Sequence, residues 1–155
     1  MYDLNITAAF TAQIDVFELL AGTGKPLALQ YFELGQTSEV TDAQDEVLTL
    51  LLKRVTGAPT SGSGGTTAAG GAALVPNDTA SGATIEAGNT TKLTGGTATN
   101  IARIDWYIRQ PCIFNPIPEM MPILDAGTRF VLELVTTPAD SISGIQGFIG
   151  YSELV

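Results

Sequence analysis

Val55 to Pro76 reads VTGAPTSGSGGTTAAGGAALVP, and how this stretch is read decides how the rest of the chain is partitioned. No charged residue falls between Thr56 and Asn77, and six glycines lie from Gly57 to Gly71. Such a segment has too little apolar side chain to nucleate a core and too much backbone freedom to hold a helix. It is expected to form a long Gly/Ser/Thr-rich loop over residues 56–76. Loops beyond about 12–15 residues are uncommon inside a compact domain and tend to be functional or mobile. This one separates two halves that both carry strand patterns.

Beyond the loop, Asn100 to Ile108 (NIARIDWYI) sets Ile101, Arg103, Asp105 and Tyr107 against Ala102, Ile104, Trp106 and Ile108, the period-two signature of a strand. Before it, Glu46 to Val55 (EVLTLLLKRV) is a continuous apolar run that suits a strand or a buried helix; its strand-rich flanks and the glycine loop favour a strand. Ala12 to Leu20 places Ile14, Val16 and Glu18 on one face and Phe17 and Leu19 on the other, ending at the turn Gly22 to Pro26. Leu27 to Leu34 alternates Leu27, Leu29 and Tyr31 against Ala28, Gln30 and Phe32. Ala83 to Ala87 reads as a weak strand and Gly88 to Thr99 as a second Thr/Gly turn. Thr128 to Val135 and Ile145 to Leu154 are two closing strands around the turn Thr137 to Ser141. Tyr2, Leu4 and Ile6 alternate with Asp3, Asn5 and Thr7, giving an N-terminal arm or edge strand over residues 1–9. Seven or eight short strands without a helix predict an all-β chain, one antiparallel β-sandwich or jelly-roll domain over residues 1–155.

Charge narrows the function. Seven bases against sixteen acids give a net charge of −9, which repels phosphate backbones and argues against nucleic-acid binding. Only 15% of residues are charged, against roughly 25% in an ordinary soluble domain. A surface so poor in charge suits a protein packed against copies of itself or a larger body. Eight acids lie in the first 46 residues, with Lys25 the only base before Lys53, so an acidic face is expected. No secretion signal and no 18-residue apolar span is recognisable, which predicts synthesis in a cytoplasm and no membrane partner.

Catalysis lacks its usual parts. There is no histidine, and the single cysteine, Cys112, sits between Pro111 and Ile113 as a small buried hydrophobe. The acidic cluster Glu39, Asp42, Asp45 and Glu46 reads as a solvated, partner-facing loop ahead of a weak calcium site or a carboxylate pair. Gly62 to Thr67 lacks the Lys-Ser/Thr of a phosphate loop and reads as flexible. Trp106 is expected in the core, with a sugar platform at Trp106 and Tyr107 as the competing reading. No enzyme activity, metal or cofactor is expected. Arg109 to Pro122 (RQPCIFNPIPEMMP) holds four prolines and is expected to be stiff and extended. Its apolar content is too high for a bare surface.

Taken together, several motifs resemble a family of small structural proteins of tailed bacteriophages. They are Phe17-Glu18-Leu19-Leu20, Lys25 to Leu29, Leu34 to Val40 with Asp42-Ala43-Gln44, Ser61 to Gly65, Asn89-Thr90-Thr91, Trp106-Tyr107, PIPEMMP at Pro116 to Pro122, and Pro138-Ala139-Asp140. The resemblance implies a virion component similar to the trimeric cement (decoration) proteins of phage capsids, with the major capsid protein and itself as partners. It carries no catalytic residues. In that role Tyr2, Leu4 and Ile6 would form the capsid-contacting arm, and Phe114, Ile117, Met120 and Met121 the trimer contact. The chain departs from the family's pattern in charge: more basic residues than Lys53-Arg54 are expected to follow directly on the acidic Asp42 segment. The alternative is a tail or fibre-tip module that binds host-surface carbohydrate; a soluble lectin-like or hydrolytic protein is a third reading.

Overall fold

The computed structural model describes residues 2–6, 10–37, 45–69 and 79–154. Among them the chain is all-β: β1 (Tyr2–Ile6), β2 (Asp15–Leu20), β3 (Leu27–Gln36), β4 (Val47–Thr56), β5 (Thr66–Ala69), β6 (Thr84–Asn89), β7 (Thr97–Tyr107), β8 (Cys112–Phe114), β9 (Ile123–Leu124), β10 (Arg129–Leu134) and β11 (Ile145–Glu153). One 3-10 turn, Pro118–Met120, joins β8 to β9. The strands build two antiparallel sheets packed as a sandwich. One has the order β1-β11-β3-β8, with β9 sharing the β8 edge of β3; the other has the order β5-β6-β2-β10-β4-β7.

The core lies between them, and period-two alternation explains most of it. Phe32, Leu34 and Ile149 point in from the first sheet; Phe17, Leu19, Leu48, Leu50, Leu52, Phe130 and Leu132 point in from the second. Phe17 and Phe32 meet edge-on across the layers, with ring centroids 5.5 Å apart. Trp106 is 2% exposed, as its alternation predicts, and its indole N–H donates to the Gln110 carbonyl at 2.7 Å. The Glu46–Val55 run is strand β4. Leu48, Leu50 and Leu52 are buried on its inner side, while on its outer side Leu51 is half-buried and Val47 exposed.

Three register shifts interrupt the ladders, one of them at Ile101 of β7, and the other two break the simple alternation of β2 and β3. Asp15 pairs with Glu133 and Phe17 with Leu132, so Val16 is the extra residue and Ile14, Val16 and Phe17 are all buried. On β3 a register shift opposite Gly150 and Tyr151 resets the phase between Leu29 and Tyr31. Leu27 and Leu29 therefore share the inward side with Phe32, while Tyr31 faces out.

Where it is described, over residues 57–69, the glycine stretch is held against the sheet rather than free. β4 sits on the far side of β10 and β2 from β6, so the chain leaving β4 must cross two strands to reach the β5–β6 hairpin. It does so as an extended strap over the outer face of the six-stranded sheet. Residues 90–96 return over the same face, joined to the strap by Thr60–Thr94 and Ser63–Thr91 bridges. Thr66–Ala69 then pairs with β6 as an edge strand. Glycine is needed for contact here: a Cβ on Gly62 would lie 2.6 Å from a Glu18 oxygen, and one on Gly65 2.6 Å from Asn89 Oδ1. Residues 70–76 of the predicted loop lie outside the described residues.

Candidate functional site

The strap explains a group of buried charges on an outward-facing sheet surface. Glu18 Oε1 accepts from the Gly62 N–H at 2.9 Å and from Asn89 Nδ2 at 2.7 Å, while Oε2 accepts from Arg129 Nη1 at 2.9 Å. Arg129 Nη1 also donates to Ser61 Oγ at 2.6 Å. Asp15 accepts the Leu93 N–H at 2.6 Å, and Glu133 is held between Lys53 and Lys92. Burial pushes the Glu133 carboxyl up, but the two ammonium groups outweigh it and hold the acid below its ordinary value. Each carboxylate is met by donors and closed under the strap. The cluster fastens the strap and offers no open face to a substrate.

Asp15 is the strained member. Burial, reinforced by Glu18 and Glu133, raises its pKa to about 6, against the pull of the Leu93 N–H and Lys92. A raised folded-state pKa means that stability is present while the acid is protonated and is lost as pH rises through about 6. Asp15→Asn keeps an acceptor for Leu93 without the charge. It is expected to stabilise the protein by ~1–3 kcal/mol at pH 7, with the gain vanishing below about pH 4, as read from urea unfolding across pH.

The other sheet presents a different surface. Cys112 lies opposite Leu34 and Phe114 opposite Phe32, so both face the core; Ile113, between them, lies opposite Glu33 and faces out. Leu124 lies opposite Leu27 and is buried, which turns Ile123 outward. With the 3-10 turn between them, Ile113 (54% exposed), Ile117 (59%), Met120 (71%) and Ile123 (48%) string along one edge of the sandwich. Together they expose on the order of 400 Å² of surface, within the ~300–600 Å² of the largest apolar patch on a typical monomer, which is often a functional surface.

The residues expected at a trimer contact divide accordingly. Ile117 and Met120 are on this edge. Met121 is half-buried, and Phe114 stacks on Phe32 at 5.1 Å with its ring committed to the core, a correction that follows from its parity with Cys112. Sequence reasoning counted Ile113 only within the apolar content of the proline stretch, not as a contact residue, and did not single out Ile123. Their signal was there, each being the apolar residue out of phase with a core neighbour.

β1 pairs with β11, placing Tyr2, Leu4 and Ile6 opposite Ile149, Gly147 and Ile145, so residues 2–6 form an edge strand rather than a detached arm. Of the acidic group, Glu39 and Asp42 lie outside the described residues. Asp45 is paired with Arg109, which holds its carboxyl below the usual range, and Glu46 accepts the Ala139 N–H at 3.0 Å. Both are engaged within the chain. Burial of Trp106 removes the sugar platform expected there. Cys112 is buried, and its thiol is pushed up to about 11 by that burial, which leaves it inert. Among the described residues no group of three or more acids or cysteines is placed to hold a metal.

No family model, curated protein or solved structure matches the chain.

Proposed function

We propose that the protein is a capsid cement (decoration) protein: an inert β-sandwich that attaches to the outside of a bacteriophage head as a homotrimer and bridges capsomers. The observation that carries the reading is the edge of Ile113, Ile117, Met120 and Ile123, which holds four of the five large apolar residues exposed among the described residues, Val47 being the fifth. A standard interface covers ~800 Å² per partner, so this edge would be the dry centre of a contact completed by the polar residues around it. Three such subunits gripping one shell gain affinity by multivalency without strong individual contacts. The topology is compatible with the role. With β5, β6 and β9 set aside, a β1-β11-β3-β8 sheet faces a β2-β10-β4-β7 sheet, an eight-strand order we read as the jelly roll used by viral capsid and lectin domains. Fold alone assigns no function, so the weight rests on the apolar edge.

The paired position of β1 gives it a part in attachment. It is the last strand of its sheet, and its outer backbone groups offer a template for a strand of the shell. Removing residues 1–8 is expected to abolish binding to phage heads while the core from Phe10 onward stays folded. Co-sedimentation with bare heads, alongside a thermal melt, measures both. Normal occupancy by the truncated protein would refute the role of β1. Intact protein is expected to raise the temperature at which bare heads rupture.

A further inference from the structure

We propose that the outer face of β3 and β11 carries a groove for a single neutral hexopyranose unit of a glycan. The six-stranded sheet covers its outer face with its own strap; the first sheet leaves a hollow of about 260 Å³ lined by Glu33, Gly35, Thr37, Gln146, Gly147 and Phe148. Drug-sized ligands occupy ~300–1,000 Å³, so this hollow suits one ring. Its floor exists because Gly35 has no side chain. Gly35 lies opposite Gln146, and a Cβ built on it meets nothing within 4 Å.

The walls are fixed before any ligand arrives. Phe148 stacks on Tyr31 with centroids 5.1 Å apart and planes 25° from parallel, and also lines the hollow. The Tyr31 hydroxyl donates to Glu33 Oε2 at 2.6 Å, which holds that carboxylate in place and leaves Oε1 without a partner among the described residues. Thr37 Oγ1 donates to the Gly144 carbonyl at 2.8 Å, so its lone pairs remain to accept. Gln146 is exposed and offers both a donor and an acceptor.

This is the chemistry of a polyhydroxylated ring. A flat apolar face is provided for its C–H side, and a carboxylate, an amide and a hydroxyl for its hydroxyls. Among the described residues no lysine or arginine lines the hollow, and the chain carries a net charge of −9, which disfavours phosphates and acidic sugars. The site stands on its own residues and does not depend on the proposed trimer or shell.

Amide NMR titrations with methyl glucoside, methyl galactoside, N-acetylglucosamine and inorganic phosphate test it. At least one sugar is expected to give saturable shifts confined to Gly35, Gln146, Gly147 and Phe148, with a Kd of ~1–10 mM, the range of a small shallow site. Gly35→Val fills the floor without a clash and is expected to weaken binding at least ~10-fold; Glu33→Gln, which keeps the shape, should weaken it by about as much. Absence of saturable shifts with all three sugars, equal shifts in Gly35→Val, or saturation by phosphate instead would each overturn the proposal. Trimer formation and head binding by Gly35→Val should match wild type, which separates this site from the assembly reading.

Discussion

Arg129→Leu is expected to lower the unfolding free energy by ~3–5 kcal/mol, a large share of the ~5–15 kcal/mol that holds an ordinary domain. The guanidinium joins β10 to Glu18 on β2 and to Ser61 on the strap. Without it, the Glu18 carboxylate stays buried with only the Gly62 N–H and the Asn89 amide to hold it. Hydrogen exchange should then quicken across residues 57–65 and 90–96 before the core opens. The double variant Glu18→Leu with Arg129→Leu should recover most of the loss, because removing both charges also removes their desolvation cost. Gly62→Ala reaches the same strap from the other side, by steric exclusion from Glu18 and the Thr91 carbonyl. If Arg129→Leu melts with wild type and its strap amides stay protected, the network does not hold the strap.

The double variant Ile117→Asp with Met120→Asp is expected to convert the proposed trimer to monomers. Each side chain would be at the centre of the apolar contact, where truncating an anchor costs ~2–4 kcal/mol, so one such loss raises the dissociation constant ~30–1,000-fold. Burying a carboxylate there adds to the loss. Both residues are exposed in the single chain, so the melting of the isolated domain should change by no more than ~0.5 kcal/mol. That split between assembly and stability separates a contact surface from a structural one. A variant that stays trimeric would place the interface elsewhere.

How far the sequence could be read follows from the physics of each element. β7 was legible because the stretch alternates without interruption from Ala102 onward, its one bulge falling at Ile101, and Trp106 lies on the inward phase. The phases of β2 and β3 were only half legible. A bulge leaves no mark of its own in the residue types, so Val16 and Tyr31 changed sides unannounced. The strap was missed for a different reason. Composition reports how free a segment is in isolation, whereas residues 57–65 are held by a carboxylate more than forty positions away, at Glu18. Buried Glu18, Arg129 and Asp15 were equally hidden, since nothing local says that an outward-facing strand position will be roofed over. Of the candidate contact, Ile117 and Met120 were legible from apolar content among prolines. Phe114 was drawn to the wrong side because the three-residue strand Cys112–Phe114 is too short to display a period.

Sedimentation of the wild-type protein at micromolar concentration tests the central claim most directly. The account predicts one species with the mass of three chains. A single species of one chain at every concentration would contradict it.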